Sequence, residues 1–154
     1  MKRPSQGFWL VVVGACGTLA LSQCSSAAPC GMCPNVEGRY TLVYEQGTLS
    51  AGCMGAYQPA PEIALSRTGA ALTANYGSAA LKGTLYDTYD MTLTGQEELG
   101  AGNPVTTLFR ARYIEPLPGS DAGATLDGRV SRDQTMPDGG VCSVEHKLTG
   151  HKAP

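Results

Sequence analysis

The chain is poor in the side chains on which most catalysis depends. Its 154 residues include only two histidines, and only 16% are Asp, Glu, Lys or Arg. There is no His-Glu-x-x-His, no Gly-x-Ser-x-Gly and no Gly-Lys-Ser/Thr phosphate loop. Asp121, Asp127, Asp133 and Asp138 lack calcium-loop spacing. No metal, cofactor or catalytic set is therefore expected, and the chain reads as a non-enzyme. A formal net charge of −2 lacks the basic footprint of a nucleic-acid binder. The length allows one domain and little more. A hydrophobic content of 42% is too high for a disordered chain, and the 20 glycines follow no collagen period.

Acidic residues are also missing from the start: none precedes Glu37. Lys2 and Arg3 open the chain, and an apolar stretch runs from Gly7 to Leu21. That order is the logic of a secretory signal. The stretch is too short and too rich in Gly, Thr and Ser for a membrane span. Its end resembles the lipobox of bacterial lipoproteins, in which small residues precede a cysteine that becomes lipidated. Val13-Gly14-Ala15-Cys16 and Leu21-Ser22-Gln23-Cys24 both qualify. Lipidating Cys24 leaves an even set, Cys30, Cys33, Cys53 and Cys142, whereas Cys16 leaves an odd one, so Cys24 is preferred. The resemblance implies a lipid-anchored protein of the bacterial cell envelope. Ordinary cleavage near Ala27 would instead give a soluble secreted protein. The expected organisation is a signal over 1–23, a Cys/Pro-rich linker over 24–36 and one domain over 37–154.

In an oxidising compartment the four remaining cysteines should pair. The expectation is that the Cys30/Cys33 pair sends one bond to Cys53 and one to Cys142. The second would close a loop of roughly a hundred residues, worth about 4–5 kcal/mol in the chain-entropy model. Cys30-Gly31-Met32-Cys33 resembles the redox motif of thioredoxins, which implies reactive thiols at a helix N-terminus. Here prolines 29 and 34 flank the motif and no βαβ pattern surrounds it. A zinc site, from these cysteines or His146, would need two close Cys pairs.

From Glu37 onward, apolar and polar residues alternate in runs too short for helices. Tyr40, Leu42 and Tyr44 share a face, as do Ile63 with Leu65, and Leu72, Ala74 and Tyr76. Leu81, Gly83 and Leu85 follow, then Tyr89, Met91 and Leu93 after a tight Asp87-Thr88 hairpin. Val105, Thr107, Phe109, Ala111 and Tyr113 make the next face, then Leu126, Gly128 and Val130, and last Cys142, Val144, His146 and Leu148. This predicts about eight strands in an all-β domain, with residues 46–60 as the longest irregular loop. One polar face per strand fits a small antiparallel eight-stranded barrel or a two-sheet sandwich, stapled by disulfides. Leu-x-Gly recurs at Gly83, Gly95, Gly128 and Gly150, where glycine would mark bends or close backbone approach. Gly38-Arg39-Tyr40 resembles the Gly-x-aromatic start of lipocalin-like barrels. Residues 69–79 are locally similar to avidins, but the part beyond the signal has no Trp for an avidin-type pocket.

Candidate ligand-lining residues are Tyr40, Tyr44, Tyr76, Tyr89, Phe109, Tyr113 and His146. A void among them would favour a small apolar ligand; a filled interior would favour a structural or protein-binding role. Arg110 and Arg112 lie opposite Phe109, where they could hold an anion or simply solubilise the strand. The first reading is a non-catalytic, lipid-anchored envelope protein that takes a small apolar ligand or an envelope protein partner. The alternatives are an exported enzyme or thiol-redox protein using Cys30/Cys33 or His146, and a purely structural envelope protein.

Overall fold

A computed structural model describes residues 27–49, 58–98, 104–119 and 123–153. Its strands are β1 (Gly38–Tyr44), β2 (Thr48–Leu49), β3 (Glu62–Thr68), β4 (Ala71–Tyr76), β5 (Ala79–Leu85), β6 (Asp90–Glu98), β7 (Pro104–Ile114), β8 (Thr125–Thr135) and β9 (Val141–Lys152). All pairings are antiparallel, and β1, β3 and β4 through β9 follow one another around the sheet. A ladder from Tyr40↔Lys152 to Tyr44↔Leu148 joins β9 back to β1. That ladder closes the sheet and makes the fold an eight-stranded barrel, not a sandwich.

The expected faces are the observed ones. Tyr40, Ile63, Leu72, Leu81, Met91, Leu93, Phe109, Leu126 and Leu148 are fully buried, so every barrel strand contributes to a single core. An eight-stranded barrel is just wide enough for side chains to fill it. The Leu-x-Gly glycines lie where strands crowd. A Cβ on Gly83 would overlap the Thr92 carbonyl, and one on Gly128 would overlap that of Arg110. A side chain there would push β5 off β6 and β8 off β7, so these glycines allow the sheet to curl.

Two details depart from the alternation. First, the loop expected over 46–60 contains β2, which pairs with β9 through Thr48↔Glu145 and Leu49↔Val144. Between Tyr44 and Thr48 the chain has one residue more than the facing stretch of β9, so β2 continues β1 past a bulge. Gly47 permits it, because a Cβ there would overlap the His146 ring. Second, Tyr89 is not a strand residue. It sits in the β5–β6 turn at φ 64°, with Tyr89 N–H donating to Tyr86 O (2.9 Å) and Tyr86 N–H to Asp90 O (2.8 Å). This is a three-residue hairpin loop with a tyrosine in the left-handed position that glycine normally takes.

Candidate functional site

The barrel has two unlike ends. At the end where the chain enters β1, residues 27–37 form a plug. Cys30 N–H donates to Leu85 O (2.9 Å), Asp87 N–H donates to Ala28 O (3.0 Å), and Pro29 bridges to Tyr86. Val36 is wholly buried and Cys30 nearly so. Tyr40 donates its hydroxyl to Val36 O (2.9 Å), and Tyr113 donates to Asn35 O (3.2 Å). Burial raises the Tyr40 hydroxyl far above the ordinary tyrosine value, with Tyr113 adding to the shift. Burial and Glu115 raise Tyr113. Both phenols therefore stay protonated and remain donors. Tyr89 packs against the core at this end, half-buried.

The plug also corrects the expected disulfide pairing. Cys30 bonds to Cys33 instead of sending bonds to Cys53 and Cys142, and their Cα atoms are 5.3 Å apart, within disulfide reach. Cys142 is disulfide-bonded too, and its partner lies outside the described residues. Cys16, Cys24 and Cys53 lie outside them as well. No helix follows the Cys-x-x-Cys pair, so the helix N-terminus that lowers a thioredoxin thiol's pKa is not present there.

At the opposite end the inward faces turn polar. On β6 the series Met91, Leu93, Gly95 continues to Glu97, and on β8 Leu126, Gly128, Val130 continues to Arg132. These two close an ion pair whose side chains are each only 12% exposed. Ser78 donates its hydroxyl to the second Glu97 oxygen. Thr107, on β7 between Gly95 and Arg132, is completely buried, and its hydroxyl has no hydrogen-bond partner among the described residues. A buried hydroxyl left unsatisfied costs about 1–3 kcal/mol.

Three of the expected ligand-lining residues meet at this polar end. Tyr44 donates to Ala60 O (2.6 Å), and the Tyr44 and Tyr76 oxygens are 3.1 Å apart. Since the single Tyr44 proton is directed at Ala60, Tyr76 is the donor between the two phenols. Ala60 N–H donates back to the Tyr76 oxygen at 3.3 Å. His146 shares the inward face of β9 with Val144 and Leu148, and its ring stands edge-on to Tyr44, with centroids 5.8 Å apart. Phe109 lies deeper, 6.2 Å from the Tyr76 ring. A groove of about 330 Å³ opens beside this cluster, lined by Tyr76, Ser78, Arg132 and the 58–61 segment.

The candidate residues thus divide. Tyr40, Tyr89 and Tyr113 belong to the plugged end, Tyr44, Tyr76 and His146 to the polar end, with Phe109 between them. The alternation in the sequence pointed to the tyrosines but missed Glu97 and Arg132. The signal was present: each continues an inward series two residues beyond its last apolar or glycine position. No family model, no curated protein and no solved structure matches this chain.

Proposed function

We propose that the chain is an exported bacterial envelope protein, anchored by lipid at Cys24, whose barrel is a non-catalytic binding module. Its working end is the polar one. There it takes a polar ligand, or a polar segment of an envelope partner, that offers both hydrogen-bond donors and acceptors. The observation carrying this reading is the contrast between spare and engaged polar groups. At the plugged end, the Tyr40 and Tyr113 hydroxyls are engaged by the protein's own backbone. At the polar end, Arg132 of a nearly buried ion pair lines a groove, and beneath the pair lies a Thr107 hydroxyl with no partner among the described residues. Buried polarity of this kind sacrifices stability, and a binding site is the usual reason to keep it. The packed interior argues against an apolar ligand carried inside the barrel.

Mass spectrometry of protein purified from its own membranes tests both parts. The denatured mass should show an acylated chain beginning at Cys24; an unacylated chain would remove the anchor from the proposal. The native spectrum should hold an adduct that Arg132→Met together with Glu97→Leu abolishes. An adduct indifferent to that pair would move the binding site elsewhere.

A further inference from the structure

The outer face of the barrel carries a second feature, independent of the polar end. Register places Arg110 of β7 directly opposite Arg129 of β8, and Arg129 directly opposite Lys147 of β9. Directly opposed residues have Cβ atoms about 4.5–5.5 Å apart, and like charges so placed are destabilising. Three cations therefore stand side by side across three strands. They line a shallow groove of about 510 Å³, floored by Ala111 and Gly128.

The nearby carboxylates match the cations of this face in number but leave Arg110 without a direct partner. Asp90 is held by Arg112 through two bonds of 2.9 and 3.0 Å. Glu145 lies 3.4 Å from Arg129, and Glu45 lies 3.0 Å from Lys147. Asp127, opposite Arg112, contributes to raising the Lys147 pKa, behind Glu45. The Arg110 side chain, at the β7 end of the row and exposed, has no ion pair or hydrogen bond among the described residues. The pairs on Arg129 and Lys147 join exposed side chains, which hold one another weakly and can swing aside.

We infer that Arg110, Arg129 and Lys147 form an oxyanion site for a phosphate group. Arg110 supplies a guanidinium fork that no carboxylate pairs among the described residues, Arg129 a second fork, and Lys147 a point charge. This combination matches a tetrahedral, multiply charged anion. The phosphate is either free or borne as a diester on a larger envelope molecule; both present a tetrahedral phosphorus with anionic non-bridging oxygens, the diester with two of them and a single charge. The side-by-side cations repel one another in the free protein, and that repulsion is relieved when the anion binds.

The test is thermal unfolding of the full chain in sodium chloride, with inorganic phosphate added at matched ionic strength. Phosphate should raise the midpoint saturably beyond chloride, because it binds only the folded state. Arg110→Thr should unfold at a higher temperature than wild type in chloride alone, since one repulsion is gone and Thr suits a strand. The same variant should bind phosphate at least about tenfold more weakly. Lys82→Thr, on β5 across the barrel from β8 and β9, should leave the phosphate response unchanged. Glycerol phosphodiester replacing inorganic phosphate separates the sources: either order of affinity upholds the site and says which form fits. The inference is overturned if phosphate does no more than chloride, if Arg110→Thr retains the full response, or if Arg110→Thr lowers the midpoint in chloride.

Discussion

The two ends of this barrel solve the same problem in opposite ways. Each must deal with inward side chains where the strands run out. At the plugged end the chain folds back, and the Tyr40 and Tyr113 hydroxyls meet the carbonyls of Val36 and Asn35. At the polar end charge itself is turned inward, as Glu97 and Arg132, and Thr107 has a hydroxyl with nothing to bond among the described residues. The comparison separates satisfied polarity, which stabilises, from retained polarity, which costs stability and points to a role beyond folding.

The largest expected effect probes the ion pair. Removing only Glu97, as Glu97→Leu, leaves the Arg132 guanidinium buried and should cost about 3–5 kcal/mol. Replacing both, as Glu97→Leu with Arg132→Met, should recover most of that loss or exceed wild type. Urea unfolding of the single and double variants measures this. A double variant as unstable as the single would mean the pair is a structural necessity.

Next is the plug. Tyr40→Phe leaves the buried Val36 carbonyl without its donor and should cost about 1–3 kcal/mol. Hydrogen exchange should show the loss concentrated over residues 30–37. Protection that falls equally at both ends would break the distinction between them.

A smaller effect should appear in alkali. Tyr40 and Tyr113 have raised pKa values in the folded barrel, so their contribution is fully present below the ordinary tyrosine pKa of about 10. Above that pH the unfolded phenols ionise first, and stability falls progressively towards the folded values. The plug should therefore loosen in alkali, and Tyr40→Phe should flatten the pH dependence.

Much of this was legible in the sequence because a strand has period two and the core has one side. Leu93 could point only inward between Thr92 and Thr94, and Phe109 shares the face of Ala111 and Tyr113, opposite Arg110 and Arg112. The plug was not legible. Cys30 and Val36 are isolated apolar residues with no period, and their burial depends on β5 and β7 being already in place. β2 was hidden by its two-residue length and by the bulge before it. The Tyr89 turn follows no glycine signal, since a tyrosine holds the left-handed position. Glu97 and Arg132 were passed over because charge usually marks a strand's outer face or its end. Here the partner that makes inward charge tolerable is 35 residues away.

The most direct measurement is the stability of Thr107→Val. Valine keeps the shape of threonine and removes the hydroxyl. If that group is retained at a cost, the urea midpoint should rise with no change in slope, a gain of about 1–2 kcal/mol, opposite in sign to Tyr40→Phe. A midpoint that falls, as at the plugged end, would mean that the Thr107 hydroxyl is satisfied and that the two ends do not differ in kind.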